Sequence, residues 1–134
     1  MPVKLKPWTY ISQGALLGRQ VKIKKGKTTF LDWGAFIFGD VELGKGCLIS
    51  PNAVIISIHH ETTKGIPIAD IKTTEKKVII GDYVWIGAGA VILGGNTIGD
   101  GAIIGAGSVL TEDHIVGENE IWVGNPCKFL KKRI

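Results

Sequence analysis

Residues 80–115 read IGDYVW, IGAGAV, ILGGNT, IGDGAI, IGAGSV and LTEDHI when cut into sixes. An aliphatic residue opens every unit: Ile80, Ile86, Ile92, Ile98, Ile104 and Leu110. The fifth place is small or medium in Val84, Ala90, Asn96, Ala102 and Ser108, and is His114 in the last unit. An α-helix has no use for a period of six, because its faces recur about every 3.6 residues. A short strand followed by a corner does. The fifth residue of one unit and the first of the next lie two apart, so on a strand they face the same side. Val84 with Ile86, and Ala90 with Ile92, therefore point inward together. Gly, Asn and Asp at the junctions supply tight corners. Three units close one triangular turn of about 18 residues, and stacked turns form a parallel β-solenoid bonded from coil to coil.

The same phase runs outward from this stretch. Leu31, Ile37, Leu43, Ile49 and Ile55 keep it, and Ile11, Leu17 and Ile23 keep it earlier. The step from Ile23 to Leu31 is eight residues instead of six, which places a small insertion near Lys27–Phe30. After Ile55 the next strong opening is Ile80. The intervening segment 61–77, ETTKGIPIADIKTTEKK, is polar and reads as a loop thrown out of one corner. A long loop on a rigid scaffold is commonly functional. Residues 126–134 leave the repeat, and CKFLKKRI reads as a short basic capping strand or helical turn. The expected fold is all-β: one solenoid domain over residues 1–134, of about five coils.

Composition bounds the function. The chain has 134 residues, 45% hydrophobic and 21% charged, which excludes a disordered tail. Its 19 Gly fit a chain that turns often. The two cysteines, Cys47 and Cys127, form no Cys-x-x-Cys pair, so neither a zinc ribbon nor a disulfide framework is expected. No apolar run approaches the roughly 18 residues of a membrane span, and Met1–Tyr10 lacks a signal-peptide pattern. No membrane insertion and a cytoplasmic location are expected. The net charge of +4 would suit an anionic ligand. The basic residues do not form one block with interleaved aromatics, so no nucleic acid is expected as partner.

The residue between each inward pair faces out. These are Phe36, Glu42, Leu48, Val54 and His60, then Ile79, Trp85, Val91, Thr97, Ile103, Val109 and Ile115. So many apolar side chains on flat faces point to a homo-oligomer. Glu42 and His60 are both outward and 18 apart, which stacks them one coil above the other. A carboxylate there would orient the imidazole and raise its basicity. Val41 and His59 would stack inward in the same way.

The run from Val78 to Lys132 resembles the hexapeptide-repeat acyltransferases, notably the galactoside and maltose O-acetyltransferases and those acting on bacterial polysaccharides. The resemblance spans residues 30–133 and implies a left-handed parallel β-helix, a homotrimer and acyl transfer from acetyl-CoA with no metal. It implies a catalytic His after CLISPNAVIISIHH, where the ungapped position is His60 and a one-residue slip gives His59. This His would serve as general base on the acceptor, with a backbone N–H near Gly87–Ala88 of an adjacent chain holding the oxyanion. The Val-Trp-Ile-Gly motif of the family is Val84–Gly87, which places Trp85 beside the pantetheine arm. Coenzyme A contacts carry over to Ala88, Ala106 and Thr111. The family's Gly-Asn-Pro ending appears as Gly124–Pro126, with Lys128 and Lys131 at basic positions that meet phosphates.

The acceptor pattern departs from the family. The Asn-rich stretch of the sugar enzymes is replaced by Thr28–Trp33, where Asp32 is the polar candidate and Trp33 could stack on a sugar ring. A sugar or polysaccharide-precursor hydroxyl is the implied acceptor. An amine on an amino sugar or nucleotide-sugar is the alternative, and a non-catalytic trimeric binding module is the second. A metal enzyme on the same solenoid would need three spaced His, and the chain has only His59, His60 and His114.

Overall fold

The computed structural model describes residues 7–134, so part of the Met1–Tyr10 segment lies outside the described residues. The aliphatic openers are the core. Leu31, Ile37, Ile49, Ile55, Ile86, Ile92, Ile104 and Leu110 are all at most 1% exposed, and Ala35, Ala53, Ala90 and Ala102 fill the space between them. Each fully buried large aliphatic contributes about 1.5–3 kcal/mol. The intervening residues face out, as the period of two requires.

The strands run in coils. Coil one holds β1 (Thr9–Ile11), β2 (Leu16–Leu17) and β3 (Lys22–Ile23). Coil two holds β4 (Thr29–Leu31), β5 (Phe36–Phe38) and β6 (Val41–Leu43). Coil three begins with β7 (Leu48–Ile49) and β8 (Val54–Ile56). It is interrupted by an arm made of β9 (Ile58–His60), a short 3-10 turn (Ile68–Asp70) and β10 (Thr73–Glu75). It closes with β11 (Val78–Ile80). Coil four holds β12 (Trp85–Ile86), β13 (Val91–Ile92) and β14 (Thr97–Ile98). Coil five holds β15 (Ile103–Ile104), β16 (Val109–Leu110) and β17 (Ile115–Val116). A sixth coil starts at β18 (Glu120–Val123), and β19 (Lys128–Lys132) folds back on it antiparallel.

The coils form three sheets, and the arm's β9 and β10 form a separate two-stranded one. Face one is ordered β1-β4-β7-β12-β15-β18-β19, face two β16-β13-β8-β5-β2, and face three β17-β14-β11-β6-β3. Every pairing within the coils is parallel, with partners 18 apart where no insertion intervenes, as in Trp85 beside Ile103. The architecture is that of the left-handed β-helix implied by the resemblance. It has six turns where about five were expected, because Val116 and Trp122 extend the six-residue phase past Leu110. The basic ending is a strand.

Coils this close leave no room for a side chain at some turns. A Cβ built on Gly44 would fall on the carbonyl oxygen of Gly81 in the coil above. Buried polar groups are paired in the described residues around the turns. Thr29 Oγ1 donates to Gly44 O at 3.0 Å and accepts from Cys47 N–H. Asn96 Nδ2 donates to Leu93 O (2.7 Å) and Thr111 O (2.8 Å), and its Oδ1 accepts from His114 N–H.

Candidate active site

The arm leaves the solenoid because the repeat fails there. The position six after Ile55 is Glu61, a charge that cannot enter the core. Departure comes earlier than expected. The chain turns outward at buried Ser57, so Ile58, His59 and His60 already stand on the arm. The arm is also ordered: His60, His59 and Ile58 pair with Thr73, Thr74 and Glu75. Ser57 anchors the exit, since its Oγ accepts from Asp40 N–H at 2.8 Å and donates to Glu75 Oε1 at 3.1 Å. The N–H of Lys76 bonds to Ser57 O and closes the base.

This geometry overturns the stacking of Glu42 beneath His60. Register places Ile79 and Lys22 beside Glu42, and Val78 beside Val41. The Glu42 carboxylate instead pairs with Lys77 Nζ at 2.6 Å, and that bond holds its pKa below the ordinary value. Glu42 therefore does not orient His60, and His59 does not point into the core.

Side chains that spacing did not reveal surround the arm instead. Thr74 Oγ1 lies 2.8 Å from His59 Nε2, and Glu112 Oε2 lies 4.0 Å from the same nitrogen. Lys76 Nζ reaches Glu112 at 3.0 Å and Asp113 at 2.8 Å, two coils further along. Its pKa is raised by the bonds to Asp113 and Glu112. The intervening coil presents Gly94 at this corner, where a Cβ would meet Ser57 O at 2.9 Å and Lys76 Cβ at 3.2 Å. Asn96 holds the 111–114 turn that carries Glu112. The polar triplet Thr111-Glu112-Asp113 stands at the same kind of corner as the arm, and that was the available signal. His60 is exposed and lines a pocket of about 460 Å³ with His59, Glu61, Thr62, Thr63 and Glu112.

A second group gathers at the corner between faces one and two. Trp85 is 47% exposed on face one, and its indole N–H donates to Ser50 Oγ at 2.8 Å. Ala88 and Ala106 are exposed in stacked turns, joined by Gly107 N–H to Ala88 O. Small side chains leave this corner smooth enough for a thin ligand. The N–H groups of Gly87 and Gly89 are engaged by Ile104 O and Pro51 O, so neither is the expected oxyanion donor. Ala88 is the remaining candidate in that turn. Asp32 and Trp33 occupy this corner in coil two, with Trp33 O accepting from Asn52 N–H and Trp33 68% exposed. Lys128 and Lys131 lie exposed on β19, beside Val123 and Ile121 at the end of face one.

Thr111 falls apart from the other coenzyme positions, at the arm's corner between faces two and three. Its carbonyl oxygen contacts His114 Nδ1 at 3.0 Å. His114 itself meets Trp122 edge-on. One chain thus carries two separated groups: the arm with His59, His60 and Glu112, and the corner with Trp85, Ala88 and Ala106. Face two lies between them.

Residues 77–112 match the family "Bacterial transferase hexapeptide (six repeats)". Over these residues the chain matches that repeat, and the six-residue phase continues on both sides of the match. A Dictyostelium discoideum protein named as an acetyltransferase is 39% identical over 118 residues, which is 82% of this chain. The chain spans 57% of that relative's length. A galactoside acetyltransferase solved in complex with coenzyme A is 29% identical with a TM-score of 0.74, over 97% of this chain and 62% of that one. AntD, an N-acyltransferase from Bacillus cereus solved with dTDP and 3-hydroxybutyryl-CoA, shares the fold at 23% identity and a TM-score of 0.79. The alignment covers 94% of this chain and 70% of AntD.

Proposed function

We propose that this chain transfers an acetyl group from acetyl-CoA to a hydroxyl of a sugar or polysaccharide precursor. The observation that carries the reading is the pair of half-sites on one repeat scaffold. The exposed imidazole of His60 stands on an ordered arm, and a smooth small-residue corner lies one face away. In a homotrimer the arm of one copy would face the corner of the next, and each cleft would be complete. The named acetyltransferases among the similar proteins support the chemistry. The galactoside enzyme, at 29% identity, favours a hydroxyl acceptor over an amine. The N-acyl alternative rests on AntD, whose likeness is one of fold alone.

The residues divide the work as follows. Trp85, Ala88 and Ala106 would line the pantetheine path, and Lys128 and Lys131 would meet the phosphates as point charges. The thioester supplies the activated acyl group. His60 accepts the proton of the acceptor hydroxyl as its oxygen attacks the carbonyl carbon, then returns it to the departing thiolate. The Ala88 N–H of the neighbouring copy would steady the oxyanion. Asp32 and Trp33 remain candidates for the acceptor. His59, held by Thr74 and near Glu112, fixes the arm.

Two measurements test this. Calorimetry with acetyl-CoA should give micromolar binding, weakened at least tenfold in Lys128→Ala/Lys131→Ala. Thiol release with saccharide acceptors should fall on the order of 10²–10⁴-fold in His60→Ala. Full activity in His60→Ala with loss in His59→Ala would move the base by one residue. No binding at millimolar coenzyme would favour the non-catalytic module.

A further inference from the structure

Charge is distributed unevenly along this chain. Residues 1–27 hold seven Lys or Arg and no Asp or Glu, whereas residues 28–134 hold nine basic and twelve acidic residues. In the fold this division becomes a direction. The corner between faces three and one carries Lys27 and Lys45 at the first coils, then Asp82 and Asp100 in register above them. The positive end is coil one. Arg19 sits at one of its corners, Lys22 on face three, and Lys24, Lys25 and Lys27 at the next corner, all exposed.

Little of this charge is neutralised among the described residues. Lys24 pairs with Asp82 at 3.2 Å. Lys22 lies beside Glu42, but that carboxylate is held by Lys77. Lys25 lies over the Trp8 ring at 5.9 Å, which leaves its charge intact. The same coil shows apolar surface on its other two faces. Tyr10 is 56% exposed on face one and Leu16 is 61% exposed on face two.

We propose that coil one docks peripherally on an anionic phospholipid bilayer. The cations lie on face three of coil one and at the two corners that flank it. The shallow pocket that Lys22 and Lys24 border is also lined by Glu42, Asp82 and Asp100, which would repel a duplex, so the cations match a flat charged surface better. Tyr10 and Leu16 would rest at headgroup depth, the setting in which aromatic and aliphatic side chains flank basic ones at membranes. The cations have the sign needed for acidic headgroups. Lysine on a terminal strand edge also discourages edge pairing. That role accounts for charge on β3, but not for the corner positions Arg19, Lys25 and Lys27, nor for the lack of any acidic residue. This inference stands apart from the catalytic reading, since its readout is binding.

The test is vesicle co-sedimentation of the intact chain at low and high salt. Vesicles are of phosphatidylcholine alone or with about a third phosphatidylglycerol. The variants are Lys22→Gln/Lys25→Gln/Lys27→Gln and, as a control of equal charge, Lys64→Gln/Lys72→Gln/Lys132→Gln. The parent should prefer the acidic vesicles at least tenfold, with the preference lost at high salt. Each cation near an acidic surface is worth roughly fivefold, so the coil-one variant should bind on the order of 100-fold more weakly. The control should stay within about twofold of the parent. Equal binding to both vesicle types overturns the proposal. So does equal loss in the control, or retention by duplex DNA under conditions where vesicles are ignored. A coil-one variant that self-associates with vesicle binding unchanged would assign these lysines to edge protection instead.

Discussion

Asp82 and Glu120 show how single carboxylates are fixed to the solenoid. Asp82 accepts the backbone N–H of Lys45 and pairs with Lys24, and these hold its pKa below the ordinary value. Glu120 is lowered in the same way by the Trp122 indole N–H and the Gly117 backbone N–H. A depressed folded pKa contributes stability that is complete above the unfolded value and is lost as pH falls through the folded one. Thermal stability should therefore fall as pH drops below about 4, the ordinary carboxylate range. Asp82→Asn with Glu120→Gln should lower the plateau at neutral pH and flatten that decline. Glycines make a second residue-level prediction. Gly44→Ala should cost about 3 kcal/mol in denaturant unfolding, because backbone of the next coil occupies the space. Gly107→Ala meets nothing within 4 Å but has φ +66°, and should cost only about 1 kcal/mol.

At the scale of elements, the regular coils and the presence of an extruded segment were legible, but the arm's exit point and its contacts were not. Openers such as Ile86 and Ile104 are set by a period that survives every corner, so inward and outward sides followed from spacing. Glu42 and His60 share that spacing on paper. The chain leaves the coil at Ser57, however, and a strict count of 18 no longer describes neighbours. The contacts that replaced it, Thr74 with His59 and Lys76 with Glu112, join segments far apart in sequence through an insertion whose path no periodicity fixes. The sixth coil was missed because Trp122 opens its unit with an aromatic. Since the arm is closed at its base by Lys76 N–H to Ser57 O, it should be separable from the scaffold. Replacing residues 61–72 with a two-residue turn should leave the melting temperature within a few degrees and abolish acyl transfer. Lys76→Ala, which frees the arm from Glu112 and Asp113, should reduce turnover about tenfold while coenzyme binding stays unchanged.

Beyond coil one, the whole molecule presents an apolar ladder along face one: Phe30, Leu48 and Trp85 are all exposed by 42–49%. A surface of that kind is covered by another copy more often than by water. Sedimentation equilibrium should return three times the chain mass. Such an assembly would account for one chain holding the proposed base, His60, and the small-residue corner on opposite sides of face two. His60, Trp85, Ala88 and Ala106 were named as candidates from the sequence, but the separation of the arm from the corner emerged only once the coils were placed. The measurement that tests this account most directly mixes two inactive variants, His60→Ala and Trp85→Ala, dissociates and reassembles them, and assays acetyl-CoA-dependent transfer. Sites shared between copies should recover roughly a quarter of parent activity, since random assembly reunites an intact arm with an intact corner at that frequency. Activity no greater than that of the two variants assayed separately would contradict it and return the whole site to a single chain.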